Sequence, residues 1–199
     1  MSTFAQVSES QGTDRLVLFT DAVVAIAITL LVLPLVDAVA ETVAAGEPSV
    51  AVITRHRPEI WSFLLSFAVI ARLWFVHHRL FAPVEEIRRG VALWNMGWVL
   101  TIVVLPFTTE MVGAYGKDPF TVALYVGTVL ASSVCLAVLS VLVGGRLVPT
   151  AVIPTVMLAV ALVLVLLVPA VGYLALLLLF LGPLAEWIWL WARPEAAAR

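Results

Sequence analysis

Between Leu147 and Ala185 the chain runs for 39 residues without a charged side chain. As one α-helix rising 1.5 Å per residue, this run would be about 59 Å long, twice the hydrocarbon thickness of a bilayer. It is too apolar for water and too long for one crossing, so it must fold back. Pro169-Ala170-Val171-Gly172 supplies the turn, which gives two spans, 147–168 and 172–192.

The rest of the chain reads the same way. Hydrophobic residues make up 63% and charged residues 12%, with mean hydropathy +1.11. Soluble domains hold about twice that share of charge. Four more spans are expected at about 15–36, 59–82, 90–113 and 119–143. The reading is an all-α, polytopic membrane protein, one six-helix transmembrane domain over residues 1–199. No soluble catalytic domain fits and no enzyme or cofactor motif is present. The net charge of −2 offers no nucleic-acid surface. Cys135 is the only cysteine, so intrachain disulfides and cysteine metal sites are excluded.

The connections carry the remaining expectations. Residues 1–12 are polar and read as disordered or loosely helical, with Thr13 or Asp14 as N-cap. Met1–Asp14 has two acids and no base, which speaks against a cleaved signal. Asp37–Pro58 is an extramembrane link, with short interfacial helices at 39–45 and 50–53. Pro106 kinks or ends the third span. Six spans put both termini on one side. That side holds Arg15, Arg79, Arg88, Arg89, Arg146, Arg193 and Arg199, against Arg55, Arg57 and Lys117 on the other. Seven against three makes it cytoplasmic, with Trp187, Trp189 and Trp191 as an inner aromatic belt.

The first span carries charge that an anchor would avoid. Arg15 and Asp21 lie in its opening turns beside Phe19 and Thr20. A charge in hydrocarbon costs roughly 2.5–3.5 kcal/mol on insertion scales, so Asp21 needs a partner. Asp21, His77 and Asn95 lie five or six residues from the cytoplasmic ends of the first three spans. They therefore share one depth and are expected to hydrogen-bond one another, with the Trp94 indole joining. Two accounts stay open: the group is packing glue, or Asp21 and His77 relay protons. His77 and His78 diverge by about 100° on a helix, so they do not make a metal site. His56 reads as a solvated loop residue.

Further along the first span, Ile26, Thr29, Leu30 and Leu33 recur at i, i+3, i+4 and i+7 and share one face. That face is ordinary packing or lipid contact, or it lines a hydrophobic constriction that gates by dewetting. Asp37 and Glu41 beyond it read as solvated loop charges. Val171-Gly172-Tyr173 is not a potassium filter, because it lacks the flanking Thr and Gly and sits in a turn. Ser132 and Ser133 beside Cys135 read as helix-packing hydroxyls.

Arg15-x-x-x-Phe19-Thr20-Asp21 resembles the R-x-x-x-F-[ST]-D signature of the lysosomal potassium channel family, transmembrane protein 175, and its prokaryotic homologues. Thr20 stands where Ser is usual. Trp74-x-x-His77-His78-x-x-Phe81, Leu93-x-Asn95 and Pro106-Phe107-x-Thr109 are similar to that family's second and third spans, so the resemblance covers residues 15 to about 110. It implies a homotetramer of six-span chains in a membrane, with the first helix of each lining a central pore and no re-entrant filter. It implies potassium, and other monovalent cations, as the permeant ion. It further implies Ile26, Leu30 and Leu33 as the apolar constriction and Thr29 as the layer linked to potassium preference. Arg15, Phe19, Thr20 and Asp21 would hold the first helix against the next two, with His77, Trp94 and Asn95 as partners. The expected location is a prokaryotic plasma membrane. The rivals are a proton-coupled transporter using Asp21 and His77, which lacks the expected inverted repeat, and a non-transporting scaffold.

Overall fold

The computed structural model describes the backbone of residues 2–82, 84, 88–116, 118–145, 147 and 149–167, with side chains from residue 14 onward except at 149–150. The sixth expected span, its tryptophans and the turn at 169–172 lie outside the described residues. Among those described there are seven α-helices: α1 Ser2–Leu30, α2 Leu33–Ala44, α3 Val50–Arg55, α4 Arg57–Phe81, α5 Arg89–Tyr115, α6 Pro119–Gly144 and α7 Pro149–Leu167. Four stretches are long and apolar enough to cross a membrane: Asp14–Ala44, Arg57–Phe81, Arg89–Tyr115 and Pro119–Gly144. The chain is an all-α integral membrane protein.

The boundaries follow from local chemistry. Residues 2–12 are helical, the second of the two readings their sequence allowed. Gly12 is their only strong helix breaker, and one glycine costs only about 1 kcal/mol. The first crossing does not end near Val36. Pro34 has no N–H for the Leu30 carbonyl, so α1 stops at Leu30 and tightens through Val32 N–H to Thr29 C=O at 3.3 Å. The chain then resumes as α2 with nearly helical dihedrals at Val32. Asp14–Ala44 is 31 residues, about 46 Å, so the last turns of α2 outrun the hydrocarbon and carry Asp37 and Glu41 with them. Those acids stand on a helix rather than in a loop. Of the two readings for Pro106, ending the helix is excluded: α5 runs through it to Tyr115, close to the expected end of the span. The Thr108 and Thr109 hydroxyls donate to the Leu105 carbonyl at 3.0 and 2.7 Å just beyond the proline.

α6 begins at a built cap. The Asp118 carboxylate accepts from the Thr121 N–H and hydroxyl, each at 3.0 Å, and Pro119 takes the first turn. It ends at Gly145 with φ +66, the left-handed conformation that glycine adopts without steric cost.

The core lies where α4, α5, α6 and α7 meet. Ile70, Trp98, Ile102, Leu105, Val126 and Leu139 are wholly buried there. α1 adds Val24 and Ala27, and Leu31 just past its end continues the stripe, which packs on α5 and α4. Small residues set the closest approach: a Cβ on Gly113 of α5 would come within 3.1 Å of Ser62 Oγ on α4.

A bare helix face and the polar cluster behind it

α1 has two unlike faces. Thr20, Val24, Ala27 and Leu31 fall at helical spacing and are buried. The opposite side carries Ile26 (59% exposed), Thr29 and Leu30, and Leu33 (52% exposed) continues it at the start of α2. The four residues that share this face in sequence therefore share bare surface in the single chain. Thr29 donates its hydroxyl proton to the Ile26 carbonyl at 2.7 Å, an exposed bond that leaves the oxygen lone pairs for another partner.

Behind that face, the buried side is tied down by polar groups. Thr20 Oγ1 donates to the Leu16 carbonyl at 2.9 Å within α1 and accepts from Asn95 Nδ2 on α5 at 2.9 Å. Asn95 Oδ1 lies 2.7 Å from His77 Nε2 on α4. With the amide oxygen as acceptor, His77 must donate through Nε2–H, so proton positions run in one direction from His77 through Asn95 and Thr20 to Leu16. Thr20, His77 and Asn95 are essentially inaccessible to solvent. The imidazole lies in an aromatic slot. It stacks on Trp98 at 4.2 Å and 10° and on Phe81 at 4.4 Å and 23°. His77 Nδ1 and Trp98 Nε1 are buried without a hydrogen-bond partner among the described residues.

Asp21 takes a different partner from the one expected. Its Oδ1 accepts from Trp74 Nε1 on α4 at 2.8 Å. Thr20 and Asp21 are adjacent, so their side chains diverge by about 100°. Only Thr20 points at Asn95, and Asp21 meets Trp74, three residues before His77 on α4. Trp94 stays outside the cluster, 40% exposed. Arg15 and Phe19 are exposed on α1 and likewise take no part in these bonds. The unexpected members are Trp74 and Trp98. The readable signal for Trp74 was chemical: a carboxylate in hydrocarbon needs an N–H donor, and the second span offered an indole one turn from His77.

A second buried cluster lies toward the other membrane face. Thr109 Oγ1 on α5 is 2.7 Å from Ser66 Oγ on α4, which is 3.1 Å from the Tyr125 hydroxyl on α6. At that end of the bundle, Asp37, Glu41, His56, Glu59 and Glu110 line a cavity of about 170 Å³ between α2, α4 and α5. Among the described residues no group of three His, Cys, Asp or Glu side chains is placed to hold a metal ion.

Comparison with known proteins joins these features. Residues 15–106 match the family model described as endosomal/lysosomal potassium channel TMEM175. Over that stretch the chain is similar to TMEM175. The matched segment holds the bare α1 face and every member of the inner cluster. A potassium channel of Chamaesiphon minutus is 32% identical over 135 residues, covering 65% of this chain and 64% of that protein. The human endosomal/lysosomal proton channel TMEM175 is 26% identical over 129 residues, 65% of this chain but 25% of that protein. The chain thus spans just under two thirds of the bacterial relative and about a quarter of the human one. A crystal structure of a lysosomal potassium-selective channel TMEM175 homologue from Chamaesiphon minutus superposes with TM-score 0.70. It covers 88% of this chain and 98% of that one at 23% identity, and so the two share a fold.

Proposed function

We propose that this chain is one subunit of a potassium-preferring cation channel, a homotetramer whose α1 helices line a central pore. The observation that carries the reading is the asymmetry of α1: one side buried and hydrogen-bonded, the other bare over Ile26, Thr29, Leu30 and Leu33. A helix surrounded only by lipid does not need its inward side pinned by a set of polar bonds. A helix that must hold its rotation toward an axis does. Around that axis Ile26, Leu30 and Leu33 form the constriction, and Thr29 supplies one hydroxyl oxygen per subunit at a single level.

Physical chemistry then sets the behaviour. Rings of Ile and Leu offer a cation no ligands, so the narrow state is dry and closed. Conduction requires widening until the ion keeps most of its water, and selectivity is correspondingly modest. The chain sits in a prokaryotic plasma membrane with both termini cytoplasmic, on the charge distribution of its connections.

The transporter reading loses support from the hydrogen bonds. Asp21 and His77 belong to separate chains of bonds, one ending on an indole N–H and the other passing through an amide to a helix carbonyl. Neither gives a continuous proton path between the two titratable groups. Purified protein in liposomes tests the proposal. Passive potassium flux that follows its gradient, exceeds sodium flux and needs no proton gradient supports it. Flux only under a proton gradient, or none of either ion under any gradient, counts against it. Proton flux is measured alongside, because the animal relatives are named for it.

A further inference from the structure

Eleven residues make about three turns of an α-helix and advance only about 20° around it. Arg15, Ile26 and Asp37 follow one another at that spacing, so they stand in one line along the helix. All three are exposed, on the bare side of α1 and of its continuation α2. The break between the two helices preserves the line, because Val32 keeps nearly helical dihedrals. Ala38 and Thr42 mark the buried side of α2, and Asp37 is not on it. The bare face therefore carries a guanidinium at one end, Ile26 midway and a carboxylate at the other. Arg15 and Asp37 lie about 33 Å apart along the axis, close to the thickness of the hydrocarbon. The residues of the constriction, Ile26, Leu30 and Leu33, fall between them.

The surroundings reinforce each sign. Toward Asp37, Glu41 follows one turn later, and Glu59 and Glu110 line the cavity beside it. Arg57 is exposed at that end, whereas Arg55 is held by Glu47 at 2.6 Å. Toward Arg15, His78 and Arg79 close α4 while Arg88 and Arg89 open α5, all of them exposed, and Asp14 turns about 100° aside. We infer that Asp37 and Arg15 form rings of opposite charge at the two mouths of the pore, so that cations enter more readily at the Asp37 mouth and inward current exceeds outward current. These rings rest on the proposed tetramer around α1 and on its cytoplasmic termini. Asp37 acts through its field and not as a ligand. Four carboxylates raise the cation concentration at one entrance, and four guanidiniums lower it at the other. Salt screens such a field, over about 30 Å at 0.01 M and about 3 Å at 1 M. The asymmetry is therefore steep in dilute salt and lost in concentrated salt.

The test is current through the full chain in planar bilayers with equal KCl on both sides. At about 0.01 M KCl the parent should pass several-fold more current entering at the Asp37 mouth than leaving through it, and at about 1 M the two should be equal. Asp37→Asn should lower the favoured current several-fold in dilute salt and leave it unchanged in concentrated salt. Arg15→Gln should raise the opposing current. Asp37→Cys on a Cys135→Ser background fixes the orientation. A membrane-impermeant methanethiosulfonate carrying a sulfonate should restore the favoured current from one side only, and one carrying a quaternary ammonium should lower it further. The same protein, modified after purification, serves if Asp37→Asn does not fold. A loss that is equal at both salt concentrations makes Asp37 a packing residue and overturns the inference. So does a conducting parent whose current ratio is unchanged in Asp37→Asn, a result that leaves the channel reading standing. A parent with no passive current overturns the channel reading itself, and the charged mouths with it.

Discussion

Among the described residues the bundle holds two buried polar clusters, and they do different work. The inner one joins α1, α4 and α5 through Thr20, Asn95 and His77, with Asp21 and Trp74 beside it. The outer one joins α4, α5 and α6 through Ser66, Thr109 and Tyr125. Ser66 and His77 are eleven residues apart on α4, about 16 Å along its axis. Only the inner cluster reaches α1. Toward the outer side, α1 and its continuation rest on Ala27, Leu31 and Ala38, small or apolar contacts with no direction of their own. The bundle is therefore welded at both levels, while the membrane-spanning part of α1 is pinned near its N-terminal end and held by packing beyond it. Its break at Leu31–Val32, where Pro34 removes a hydrogen bond, falls within the loosely held part.

Removing the centre of the inner cluster should have the largest effect. Asn95→Leu leaves the His77 Nε2–H and the Thr20 hydroxyl facing an apolar group at full burial, worth about 2–6 kcal/mol for the two lost bonds. Tm of the solubilised protein should fall by about 4–24 °C, taking about 2–4 °C per kcal/mol for a chain of this size. An unmoved Tm would mean that the cluster does not hold α1. Trp74→Phe comes next. It removes the donor to Asp21 and should cost about 1.5–3 kcal/mol, read as a smaller drop in Tm and a weaker oligomer on size exclusion. An unchanged oligomer would place the Asp21 bond outside assembly.

Tyr125→Phe should cost about 1 kcal/mol, because the Ser66–Thr109 bond survives, and should leave ion flux as it is. Altered flux would show that the outer cluster also acts on the pathway and would erase the contrast between the two. Trp94→Phe is the smallest. Its indole is 40% exposed and outside both clusters, so stability should stay within about 0.5 kcal/mol of the parent, read as an unmoved Tm.

Depth was readable from the amino acids, and direction around the helix was not. Counting residues from the basic boundaries put Asp21, His77 and Asn95 at one level, and His77 and Asn95 do bond each other. The count could not say that Thr20 faces Asn95 while its neighbour Asp21 faces Trp74, because that depends on how α1 is rotated against two other helices. The outer cluster escaped for a related reason. Ser66, Thr109 and Tyr125 are scattered over three apolar helices, where single hydroxyls usually bond their own backbone. Hydropathy located the crossings that the structure describes, from α1 to α6. It misplaced the end of the first one, because α2 remains helical past Pro34 and lifts Asp37 and Glu41 out of the hydrocarbon on a continuing helix.

The central question is which surface the ions meet, and Ile26 tests it most directly. Potassium and sodium flux into liposomes is compared for the parent and Ile26→Asn, a substitution on the bare face that touches neither cluster. If α1 lines the pathway, the amide hydrates the constriction, flux of both ions rises several-fold, and the potassium-to-sodium ratio moves toward one. Flux and ratio identical to the parent, from a variant of equal thermal stability, would put the pathway elsewhere in the molecule.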